Sequence, residues 1–203
     1  MVKEKNKNGY HYKKGVFLMN NETTKVITGH DTRWSYVNVW EAKSVNGGNP
    51  RYSISLIIPK NDTDTISYIN RAINAAYKTG LAKLKGNDSK VPALSEIKTP
   101  LHDGDLDKPD DEAYKNAYFI NAASTRPPEI CDAYLNGITD HSAVYSGAYG
   151  RASISFYAYN YNGNRGIACG LNGLQKISDG EQLGAKTNTI TNSTANNFDD
   201  FLR

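Results

Sequence analysis

The chain has 203 residues, enough for one sizeable domain, and 38% of them are hydrophobic. A formal net charge of +3 excludes a polybasic protein, so a polyanion would have to be held by a local basic groove rather than by the field of the whole molecule. The longest apolar runs, 16–19 and 56–58, are far too short to cross a bilayer, and two cysteines, Cys131 and Cys169, form neither a metal-ligand spacing nor a disulfide framework.

Residues 1–22 are basic and Asn-rich and lack periodicity, which reads as a flexible extension. Only four apolar residues follow the basic start, with no small-residue cleavage site, so a secretory leader is not expected. Met19 is a candidate alternative start, because codons for Lys13-Lys14-Gly15-Val16 can supply a purine-rich ribosome-binding site upstream of it. From residue 25 β signals dominate. Residues 25–28 (KVIT) read as a short strand and 33–42 (RWSYVNVWEA) as a longer one. The Asn46-Gly47-Gly48-Asn49-Pro50 turn then pairs that strand with 52–58 (YSISLII), which Pro59 closes.

The period then changes. Asp62 or Thr63 caps a helix that runs to about Thr79 and stops at Gly80, with Ile66, Ile69, Ile73, Ala76 and Tyr77 on one stripe. Residues 86–116 are polar and carry Pro92, Pro100 and Pro109, the pattern of a long insertion loop. Strands follow at 117–122, ended by Arg126-Pro127-Pro128, at 148–161, and at 166–174 beyond the Asn162-Gly163-Asn164 turn. After 184 the chain turns Asn/Thr-rich and reads as a flexible tail, leaving 23–184 as the folded domain. Three strands, a helix and further strands predict a mainly β, OB-fold-like five-stranded barrel with one helix after the third strand.

The 148–161 strand is the most informative. Alternation puts Ala152, Ile154, Phe156, Ala158 and Asn160 on one face, suited to a core. The other face presents Arg151, Ser153, Ser155, Tyr157, Tyr159 and Tyr161. Tyrosines in a row gain nothing from water but can stack nucleobases, at about 1–3 kcal/mol per base, while an arginine holds a phosphate. The competing reading packs these tyrosines under the 86–116 insertion. In 33–42, strict alternation sets Trp34, Tyr36 and Trp40 against Arg33, Val37 and Val39, with at least one tryptophan suited to a barrel core. Arg33, Lys43, Lys60, Arg51, Arg126 and Arg165, at strand ends and turns, are candidate phosphate contacts. The candidate DNA-binding set is thus Arg33, Trp34, Tyr36, Trp40, Lys43, Arg51, Arg126, Arg151, Tyr157, Tyr159, Tyr161 and Arg165.

Two rival functions remain open on the residues alone. Asp103, Asp105 and Asp107 alternate as oxygen ligands of a divalent cation would, which a metal-dependent nuclease could use. Against an EF-hand, Lys108 holds the glycine position and Tyr114 the twelfth. The other rival is a self-assembling structural protein whose tyrosine face packs on another subunit. His11, His30, His102 and His141 form no paired spacing, and no nucleotide-binding or nucleophile motif is present, so no cofactor is called for.

Five segments carry a resemblance: 25–28 (KVIT), 51–60 (RYSISLIIPK), 100–105 (PLHDGD), 118–128 (YFINAASTRPP) and the long block 150–184. Together they resemble a tailed-phage single-stranded-DNA-binding protein family. The resemblance implies an OB-fold that coats single-stranded DNA with little sequence preference during phage replication or recombination, in the cytoplasm of the bacterial host. It implies no enzymatic activity and places Arg151, Tyr157 and Tyr159 within the matching strand. The last residues, Phe198-Asp199-Asp200-Phe201-Leu202-Arg203, are a candidate docking tail for phage or host replication proteins, less acidic than the endings such a family leads one to expect. A homo-oligomer is a further possible state, and a membrane is not an expected partner.

Overall fold

The computed structural model describes residues 23–44, 48–87, 90–161 and 163–184. The two expected extensions, with Met19 in the first and the docking tail in the second, lie outside the described residues. The elements in chain order are β1 (Lys25–Ile27), β2 (Arg33–Lys43), β3 (Arg51–Pro59), α1 (Thr63–Thr79), α2 (Leu81–Lys85), β4 (Leu101–Asp103), α3 (Gly104–Asp107), β5 (Ala117–Ser124), β6 (Glu129–Cys131), β7 (Tyr149–Tyr161) and β8 (Asn164–Ser178).

The strands form one mixed, mainly antiparallel sheet. β2 and β3 make the expected hairpin, β5 pairs with β3 along the whole length of β5, and β7 and β8 form the longest ladder. β5 meets β8 in parallel at Ala123 and Gly170, and β2 meets β7 at Arg33 and Tyr149. These pairings close a ring of five strands, β7-β2-β3-β5-β8. β1 flanks β7, β6 flanks β8, and β4 lies along β5.

The ring encloses the main core, to which Trp34, Ile54, Leu56, Ile58, Ile120, Ile154 and Phe156 contribute. α1 seals it from one side. The Asp62 carboxylate accepts a hydrogen bond from the Thr65 amide at 3.1 Å and starts the helix, while Ile69, Ala72, Ile73 and Ala76 form its buried stripe. Gly80 ends it against β7, where a Cβ would stand 2.2 Å from that of Ala158. The helix agrees with the sequence pattern at both ends.

The 86–116 segment differs from the plain loop expected of it. It contains β4, α3 and two 3₁₀ turns, and it docks on the outside of the ring. Its Tyr114 is fully buried with Ile57, Ala117 and Phe119, which form a second apolar cluster. This explains why five successive residues of β3, 54–58, are all buried: Ile54, Leu56 and Ile58 face the ring interior, and Ser55 and Ile57 face the insertion.

Candidate nucleic-acid interface

β7 alternates as its sequence predicts. Ala152, Ile154, Phe156 and Ala158 are buried, while Arg151, Tyr157 and Tyr161 are exposed, with Ser153, Ser155 and Tyr159 half-buried between them. The neighbouring β8 turns Ile167, Cys169 and Leu171 inward and sets Gly166, Ala168 and Gly170 on the outer side beside Tyr159, Tyr157 and Ser155, with Gly166 itself buried against the Lys98 backbone. Ala168 and Gly170, which carry almost no side chain, leave a trough at the foot of Tyr157. At Gly170 a Cβ would stand 3.1 Å from Ser155 Oγ and 3.5 Å from Tyr157 Cε1, so larger residues would fill it.

That trough is part of a groove of about 830 Å³. Tyr157 and Tyr159 line it together with Asn121 and Ala123 of β5, Leu101, His102 and Leu106 of the insertion, and the cations Arg51 and Lys98. Tyr157 is exposed beside the insertion, whereas Tyr159 is half-buried where Lys98 of the insertion bridges its cross-strand neighbour Gly166. Of the candidate DNA-binding set, Arg51, Tyr157 and Tyr159 come together here, and Asp103 and Asp107 of the acidic run line the opposite side. Lys98, His102, Asn121 and Ala168 were not foreseen, because only the docked insertion and the β5–β8 pairing bring them alongside.

The insertion is held as a wall by packing and charge. Tyr114 donates its hydroxyl to Ser55 Oγ at 3.2 Å and meets Phe119 edge-on at 5.1 Å. The Lys108 ammonium lies 4.1 Å from the Tyr114 ring centroid and 4.6 Å from that of Tyr36. His102 stacks on Phe119 and pairs through Nδ1 with Asp107 at 2.8 Å. The Lys60 ammonium bridges Asp103 at 2.8 Å and Asp105 at 2.6 Å, and Asp105 also accepts from the Asn116 amide. The Lys60 bond, then the amide, holds the Asp105 carboxyl below its ordinary range, and the two carboxylates raise Lys60. The carboxylates offered for a nuclease metal are thus engaged by a lysine. Among the described residues no cluster of three or more His, Cys, Asp or Glu could hold a metal ion.

Four expected contacts are placed differently. Trp34 is wholly buried in the core and has no surface for a base. Arg33 donates Nη2 to the Glu181 carbonyl at 2.8 Å and covers the Tyr149 ring, anchoring the segment after β8. Arg165 donates Nη1 to the Leu84 carbonyl at 2.9 Å, tying the β7–β8 hairpin to α2. Trp40 is half-buried and stacks on His141, with ring centroids 4.3 Å apart. The cause in β2 is an irregularity at Tyr36, whose φ of 48° breaks the ladder between Ser35 and Asn38. Past it the faces exchange, so Trp34 and Val39 both point inward, and Tyr36 lies under Lys108, 60% exposed. Lys43, Arg126, Arg151 and Tyr161 are exposed, and Lys43 sits opposite Arg51 at the turn end of the β2–β3 hairpin. Cys169 lies buried at the groove floor, where burial pushes its thiol up to about 12, and Cys131 is half-buried on β6.

The ring of strands thus carries outward tyrosines beside a groove lined by Arg51 and Lys98 and, on the insertion side, by Asp103 and Asp107. Residues 24–202 match the family of the Enterobacter phage Enc34 ssDNA-binding protein, and the chain belongs to that phage single-stranded-DNA-binding family, whose members are not enzymes. The fold is similar to that of the single-stranded DNA-binding protein from bacteriophage Enc34, solved in complex with ssDNA. The TM-score is 0.63 at 23% identity, over 79% of this chain and 90% of that one. It is also similar to gp2.5, a single-stranded DNA binding protein encoded by bacteriophage T7, with a TM-score of 0.55 and 12% identity over 81% of this chain and 91% of that one. In sequence the chain is 28% identical over 159 residues to protein p50 of Acyrthosiphon pisum secondary endosymbiont phage 1, spanning 75% of this chain and 83% of that protein.

Proposed function

We propose that this protein coats single-stranded DNA, largely without regard to sequence, and that the groove between β7 and the insertion is where the strand lies. The five-stranded ring is then an OB-fold barrel. Tyr157 and Tyr159 stack bases over the bare face of β8, and Arg51 with Lys98 neutralises phosphates beside them. Arg151, Lys43 and Arg126 extend the basic contacts past the groove, and Tyr161 stands at the tip of the β7–β8 hairpin. The observation that carries this reading is the juxtaposition of two outward tyrosines with a side-chain-poor strand, in a chain of a single-stranded-DNA-binding family. The chemistry needs no cofactor, since stacking and charge neutralisation form and break no covalent bond. Phage DNA replication or recombination in the host cytoplasm is the setting that fits such a coat; among the described residues no helix is long and apolar enough to cross a membrane.

The test is a titration of labelled oligo-dT followed by anisotropy, beside a duplex of equal length. Tryptophan quenching is a poor signal here, because Trp34 is buried and Trp40 is covered by His141. Binding that strongly favours the single strand, and weakens about five- to hundredfold per tyrosine in Tyr157→Ala and Tyr159→Ala, is expected. Unchanged affinity in a folded double variant would remove the groove from the DNA path.

A further inference from the structure

The outward face of β7 continues beyond the groove through Ser155, Ser153 and Arg151, about 20 Å from Tyr157 at about 3.3 Å per residue. At its far end Gln175 sits opposite Arg151 in the β7–β8 ladder. Gln175 donates Nε2 to the carbonyls of Asp132 and Ala133, at 3.4 and 3.3 Å. These contacts tie the turn after β6 to Gln175, one strand across from Arg151.

That turn is stiff. The Asp132 carboxylate accepts from the amides of Tyr134 and Asn136, at 2.8 and 2.9 Å, and from Asn136 Nδ2 at 3.0 Å. The Asp132 amide donates to the Asn136 carbonyl, and the Leu135 amide to that of Asp132, at 2.9 and 3.1 Å. The bonds hold Leu135 at a φ of 69°, in the left-handed region that non-glycine residues rarely adopt. What this closed turn displays is apolar: Tyr134 is 87% exposed and Leu135 73%. A ring projecting from a fixed backbone loses little freedom when a flat partner stacks on it.

We propose that the 132–136 turn is a second stacking station on the DNA path, where Tyr134 takes a base from the strand after it leaves the groove and crosses Arg151. This rests on the single-stranded-DNA reading above. It lengthens the path from the groove alone to the full outer face of β7.

Strand length separates the two claims. An oligo-dT of about four nucleotides fills the groove only, whereas one of about twelve reaches the turn, both within the span one OB-fold covers. Tyr134→Ala is expected to weaken the longer strand about five- to hundredfold and leave the shorter one unaffected, with Tyr134→Phe restoring the wild-type value. Tyr157→Ala should weaken both lengths. Equal affinities of wild type and Tyr134→Ala for the longer strand would overturn the second station while the groove stands. An equal loss at both lengths would do the same, as would altered sedimentation of the DNA-free variant, which would assign the turn to contact between copies. Failure of the wild type to bind either strand would remove both claims.

Discussion

At the scale of single residues, charge shapes the groove wall as much as packing does. Lys60 holds Asp103 and Asp105 at the start of α3, so the acidic run that reads as a metal loop in sequence acts as one side of an ion-pair cluster. Sequence spacing showed the carboxylates but not their partner, which lies more than forty positions earlier in the chain. The pH dependence follows in sign. The Asp105 carboxyl is held below its ordinary value, so its contribution to stability is complete above about pH 4 and is lost as pH falls through the folded-state value. Lys60 is raised, so its share persists below its ordinary value and fades only in strong alkali. Asp105→Asn is therefore expected to melt at a lower temperature than wild type near pH 6, with the gap closing as the pH drops below about 4. A gap that stays constant with pH would show that the bond to the Asn116 amide, rather than the ionised carboxylate, matters there.

At the scale of elements, legibility followed periodicity. α1 and β7 were readable because each runs long and regular, with apolar stripes that agree with one buried face. β2 was legible as a strand but not in its faces, because Tyr36 takes a left-handed conformation that bulky residues rarely adopt and that nothing in its neighbours announces. The tyrosine ridge was thus found, while Trp34 was misplaced by the same alternation rule. The outer side of β8 went unassigned although 166–174 read as a strand, because Ala168 and Gly170 carry no side-chain chemistry that would mark a face. The insertion was illegible as structure, since its elements are short and owe their order to docking. Tyr114 is one anchor of that docking, buried with Ile57 and Phe119; Leu94, Ile97 and Leu101, which pack on the main core, are others. Tyr114→Ala should destabilise the protein by about 3–5 kcal/mol, and limited proteolysis should cut first within 86–116. Because Leu101, His102 and Leu106 line the groove, the same variant should also lose DNA affinity while keeping both tyrosines. Retained affinity in a folded Tyr114→Ala variant would show that the wall is dispensable for binding.

At the scale of the whole molecule, a net charge of +3 leaves little long-range attraction for DNA, so the groove must separate its two tasks locally. Cations displace counterions from phosphates, and each phosphate neutralised on a single strand steepens the fall of log K with log salt by about 0.7. Stacked rings displace no counterions, so they set affinity at every salt concentration without changing the slope. Arg51 and Tyr157 line the same groove and should therefore separate cleanly. Arg51→Ala is expected to flatten the salt dependence by about 0.7, so that its defect shrinks as salt rises. Tyr157→Ala is expected to shift the whole line down by about 1–3 kcal/mol with its slope preserved. Measured side by side on one oligo-dT, parallel lines for both variants would mean that Arg51 meets no phosphate. A flattened line for Tyr157→Ala would mean that removing the ring also moves the backbone away from its cations.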